Sequence, residues 1–111
     1  MNAPVIDLPV FHDLQEAAGA AFVDELIGTF FEEAPALLAE LRTAQTLGDA
    51  EGFRRAAHSL KTNAQTFGAM ALGEHARTLE RGGPPPHAAV LDALDEAYAS
   101  AVAALEGLRH G

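Results

Sequence analysis

The chain of 111 residues contains no Cys, is 49% apolar and 21% charged, and has a formal net charge of −9. That length and balance fit one globular domain over residues 1–111 and exclude intrinsic disorder, a disulfide scaffold, thiol chemistry and any cysteine-based zinc or iron–sulfur centre. The acidic total lacks the basic footprint of nonspecific nucleic-acid binding, and no apolar run approaches the roughly 20 residues that cross a bilayer. With no signal-peptide pattern at the N-terminus, the expectation is a cytoplasmic protein with no membrane or nucleic-acid partner.

Few aromatics and abundant Ala and Leu favour helices over strands. A short helix around Val10–Ala18 caps one end. From Ala20 onward, Phe22, Val23, Leu26, Ile27, Phe30, Phe31, Ala34, Leu37, Leu38 and Leu41 recur at three- and four-residue steps, one wide apolar stripe. Pro35 lies inside that stripe and predicts a kink or brief interruption, since it lacks an N–H and crowds the preceding turn. Gly48 followed by Asp49 reads as a helix stop and an N-cap. A second long helix runs from about 49 to 67, ended by Gly68, and a third over about 69–81, ended by Gly82 and Gly83. Pro84, Pro85 and Pro86 form a stiff connector whose last member fits the first turn of a final helix over about 87–109. The predicted fold is all-α, an antiparallel four-helix bundle with a short N-terminal capping helix.

Charge is distributed unevenly along this plan. Residues 1–53 hold ten acids and a single base, Arg42, for −9. Residues 54–81 hold Arg54, Arg55, Lys61, Arg77 and Arg81 against Glu74 and Glu80, for +3. Residues 82–111 return to −3. A positive stretch in an acidic chain suggests a site for something anionic.

The second long helix carries that stretch. At roughly 100° per residue, Phe53, Ala56, Ala57, Leu60, Ala64 and Phe67 share one face. His58 points away from it, with Lys61 one turn on, Arg54 one turn back, and Thr62 and Gln65 on the same side. Cations beside an imidazole repel a metal ion, and no metal site is expected. They suit a phosphoryl group: a neutral ring nitrogen is a nucleophile, and an ammonium or guanidinium balances the charge it acquires. An ordinary surface histidine is the alternative. Of the other histidines, His75 is expected at the bundle edge and His12, His87 and His110 on the surface.

The stretch Ala57-His58-Ser59-Leu60-Lys61-Thr62-Asn63-Ala64-Gln65-Thr66-Phe67-Gly68-Ala69, followed by Leu72 and Leu79-Glu80, resembles the signature of the histidine phosphotransfer (HPt) family. That signature is approximately Ala-His-x-Leu-Lys-Gly, a later Gly, then Leu and a Leu-Glu pair. The preceding helix, with Glu32-Glu33-Ala34-Pro35-x-Leu37-Leu38, is also similar to the family. The resemblance implies an HPt-like bundle that shuttles a phosphoryl group between receiver-domain aspartates, with His58 as phosphoacceptor and Lys61 stabilising the phosphoryl oxygens. Gly68 would serve the turn between helices. Glu80 would orient the imidazole if antiparallel packing brings it beside His58; the alternative is a solvated carboxylate or one paired with Arg77 or Arg81. Arg54, Arg55, Thr62 and Gln65 would belong to the docking surface. The chain departs from the signature at Thr62, where the family usually has Gly, and the added side chain would narrow the space for a partner.

The partners so implied are response-regulator receiver domains and a hybrid or conventional histidine kinase. No cofactor of its own is implied, and magnesium is expected in the receiver. No Gly-rich phosphate loop is present, so no ATP site and no autonomous kinase activity are expected. Two other readings stand beside the phosphocarrier: a noncatalytic receiver-binding module, and an HPt segment of a larger kinase. A monomer is the expected state, since the apolar stripes can satisfy one another.

Overall fold

The computed structural model describes residues 5–109, and they form five helices and no strand. Helix α1 spans Leu8–Ala18, α2 Ala20–Leu47, α3 Ala50–Thr66, α4 Met70–Gly82 and α5 Val90–Leu108. Helices α2 to α5 make the bundle, and α1 lies against α2. The 28 residues of α2, at 1.5 Å each about 42 Å long, match the 41 Å long axis of the molecule.

Local chemistry sets each boundary. Asp7 caps α1 by accepting from the Val10 N–H, and Gly19, with φ of 93°, alone separates α1 from α2. Gly48 ends α2 in the left-handed region, and Asp49 Oδ1 then accepts from the Gly52 N–H at 2.9 Å to start α3. The expected stop and cap are thus realised at adjacent residues. Gly68, with φ of 74°, turns the chain between α3 and α4. Its carbonyl also accepts from the Asp7 N–H at 2.7 Å, tying the start of α1 to that turn.

Two local expectations are corrected. Helix α2 passes through Pro35 without interruption. Pro35 is exposed, so the carbonyl it orphans one turn back lies where water reaches it, while buried Val23, Ile27, Phe30, Ala34 and Leu41 hold both halves on the core. Pro86 does not enter the last helix, which starts at Val90 rather than 87. Instead the connector is held from outside the helix, with Gln45 Nε2 donating to the Pro85 carbonyl at 3.2 Å.

The core is continuous and holds no buried polar or charged side chain among the described residues. Phe53, Ala56, Ala57, Leu60, Ala64 and Phe67 are all buried, the face read from helical spacing. Helix α3 packs most extensively against α4, where Ala64 faces Gly73, and next against α2. Phe30 sits between Phe67 and Tyr98, whose ring meets it edge-on at 5.8 Å. Arg42 bridges α2 to α5 through Asp92 at 2.9 Å and Asp95 at 2.5 Å. At the other end, Arg109 lies over the Phe31 ring. His75 is exposed and lines a cleft at the α4–α5 edge of the bundle with Leu79 and Val90, while Leu72, Ala76 and Leu79 take the buried positions of α4. His12 and His87 are exposed as expected; His110 lies outside the described residues.

Candidate functional site

His58 stands at the middle of α3, on the face opposite the core, with its side chain 59% exposed. Helix α4 runs back alongside and brings Glu80 to it across 22 positions of sequence: Nδ1 of His58 lies 2.8 Å from Oε2 of Glu80. The second carboxylate oxygen, Oε1, lies 2.7 Å from Nζ of Lys61. One carboxylate therefore holds two partners, one on each oxygen. Lys61 and Glu80 are each only 20% exposed, so the imidazole projects above a half-buried ion pair.

The electrostatics fix which nitrogen is free. Lys61 and, after it, His58 hold the Glu80 carboxyl below the usual glutamate value of 4.5, so it is ionised at neutral pH. An ionised carboxylate only accepts hydrogen bonds. Nδ1 must then carry the proton it shares with Glu80, and in the neutral ring the lone pair lies on Nε2, facing solvent. The pH dependence follows from the depressed value. The interaction is fully present above 4.5 and is lost as pH falls through the lower, folded-state value. In a carbon-detected NMR titration, the Glu80 carboxyl is expected to have its midpoint below 4.5. In Lys61→Ala that midpoint moves back up, since Lys61 is the larger cause.

The sequence-derived residues do not all come together. His58, Lys61 and Glu80 meet directly, and Glu80 pairs with these two rather than with Arg77 or Arg81. On the α2 side, His58 and Thr62 line an open groove of about 540 Å³ with Glu33, Ala36, Leu37, Ser59 and Asn63. Leu37 and Ser59 continue from it into a second groove of about 550 Å³, which Arg55 lines together with Glu40 and Leu47. Gln65 lies on the other flank, in a cleft between α3 and α4 beside Arg77, and does not line the His58 groove. Arg54 is exposed.

Thr62 donates its hydroxyl to the His58 carbonyl at 3.0 Å, and Thr66 repeats the bond to Thr62 at 3.1 Å. The Thr62 oxygen is thereby turned back onto the helix, and the residue adds bulk to the groove rather than a free donor. Glu33, Ala36 and Leu37 were not singled out as groove residues by the sequence. Their signal is a three- and four-residue step along α2, but the rotation of α2 against α3 is a packing outcome.

The Hpt domain family model matches residues 25–104, more than half of the chain. No curated protein and no solved structure matches the chain significantly. No helix among the described residues is long and apolar enough to cross a membrane.

Proposed function

The chain belongs to the Hpt domain family, the histidine phosphotransfer domains of phosphorelays, and from that premise we propose that it is a phosphocarrier with His58 as the phosphoacceptor. The observation that carries the assignment is the His58–Glu80 contact at 2.8 Å on an otherwise exposed ring. It leaves Nε2 as the reactive atom. In the proposed step, the Nε2 lone pair attacks the phosphorus of a receiver's aspartyl phosphate. The N–P bond forms as the P–O bond to the aspartate breaks, and the aspartate leaves as a carboxylate. Passing the group to a second receiver reverses these events. Magnesium belongs to the receiver partner in this scheme, and this chain supplies a positioned nucleophile on a rigid helix.

Glu80 orients the imidazole and selects its tautomer. Lys61 acts first on Glu80, keeping it ionised; once Nε2 carries a phosphoryl group, the ammonium gains a second anionic partner one helical turn from it. Glu80→Ala is expected to slow phosphoryl acceptance about ten- to hundredfold, by analogy with the loss of a partner that orients a histidine. Nitrogen NMR of the same variant is expected to show His58 shifting away from the Nδ1–H form. An unchanged tautomer with an unchanged rate would remove Glu80 from the role.

Intact-protein mass spectrometry after mixing with receiver domains charged by acetyl phosphate tests the whole assignment. One acid-labile phosphoryl group per chain supports a carrier. Stable binding to a charged receiver without transfer supports the noncatalytic module instead.

A further inference from the structure

The two flanks of His58 differ in charge balance. Toward α4, Lys61 and Glu80 neutralise each other. Toward α2, the groove is floored by Ala36 and Leu37 and edged by Glu33, whose exposed carboxylate makes no hydrogen bond or ion pair among the described residues. Helix α2 holds nothing to neutralise it. Its single base, Arg42, is committed to Asp92 and Asp95, and the positions one turn either side of Glu33 are Thr29, Phe30, Ala36 and Leu37.

A partner that closes over Nε2 must cover this groove, since His58 is one of its walls. Closing it takes Glu33 partly out of water beside an apolar floor. That is unfavourable unless the partner brings a cation, and strongly so if it brings another acid. We propose that Glu33 determines which receivers this carrier serves: the groove accepts a receiver that lays an apolar side chain on Leu37 and Ala36 and a Lys or Arg against Glu33. The inference rests on the phosphocarrier reading and adds the chemistry of the partner to it. Thr62 works in the same direction by filling the groove next to His58, so that the partner's apolar group is directed toward Leu37.

The test separates docking from chemistry. Wild type, Glu33→Gln and Glu33→Lys are each exposed to phosphoramidate, a small phosphoryl donor that needs no docking surface, and to receiver domains charged with acetyl phosphate. Labelling of His58 by phosphoramidate is expected to agree within about threefold across all three, because rim charges act mainly on association with a macromolecular partner. Transfer from receivers that serve wild type is expected to fall about threefold in Glu33→Gln and about tenfold or more in Glu33→Lys at low salt, with the difference shrinking as salt screens the charges. Replacing the receiver's facing Lys or Arg by Glu should reproduce the loss, and pairing that receiver with Glu33→Lys should restore transfer. Equal transfer rates for all three proteins, or no restoration in the swapped pair, would overturn the proposal. A change in oligomeric state on light scattering with unaltered transfer would also overturn it, by assigning the groove to a second copy of this chain. If neither donor labels wild type, it is the phosphocarrier reading itself that fails.

Discussion

His58→Gln is expected to carry no acid-labile phosphoryl group after mixing with charged receivers, while its circular dichroism and thermal unfolding match wild type. Glutamine has an amide of comparable reach, and its NH₂ can still donate to Glu80, so the half-buried carboxylate and Lys61 keep their partners. What disappears is the ring nitrogen lone pair, for which an amide nitrogen is no substitute. The core is untouched, because His58 lies opposite Phe53, Ala57, Leu60 and Ala64. Loss of labelling with the fold intact assigns the nucleophile. Retained labelling would mean that another of the five histidines accepts the group, and His75, exposed on α4, would be the next to replace.

Gly68→Ala is expected to destabilise the protein by about 2–4 kcal/mol, combining the left-handed backbone penalty with a steric clash. At φ of 74° an L side chain is strained. In addition, a Cβ there would stand 2.8 Å from the Asp7 carbonyl oxygen and 3.1 Å from Val10 Cβ, so α1 would have to move off the turn. Gly48→Ala supplies the control. Its φ of 69° is similar, but a Cβ at that position meets nothing within 4 Å, and about 1–2 kcal/mol from the backbone alone is expected. Urea unfolding of both variants isolates the contribution of α1. Equal losses would show that the N-terminal helix adds nothing to the stability of the bundle.

The reactive face was legible because one helix determines its own faces. The spacing of Phe53, Ala57, Leu60 and Ala64 places His58 outward whatever α3 packs against. Gly48, Asp49 and Gly68 were legible for a similar reason, since cap and turn chemistry acts within a few residues. Relations between helices were less accessible. Glu80 entered through family resemblance and an antiparallel arrangement, and spacing alone left Arg77 and Arg81 as equal partners. The engagement of Lys61 by the same carboxylate depends on how closely α3 and α4 approach, which small residues such as Ala64 and Gly73 permit. The α2 wall of the groove depends on the mutual rotation of two helices, to which a one-dimensional pattern gives no access. At Pro35 the interruption, one of the two outcomes expected there, does not occur. A strong local rule was outweighed by apolar contacts on both sides of it, and the exposed position made the lost hydrogen bond tolerable.

Tyr98 gives the molecule a native optical reporter. It is the only tyrosine in a chain without tryptophan, so ultraviolet emission excited near 280 nm, where phenylalanine scarcely absorbs, comes from one ring. That ring is half-buried against Phe30 on the inner side of α5, and it takes no part in the His58, Lys61 and Glu80 cluster. Its fluorescence therefore follows the opening of the bundle while staying blind to the state of the imidazole. Unfolding curves of phosphorylated and unphosphorylated protein can be read on the same scale, without a label and without correction for the modification.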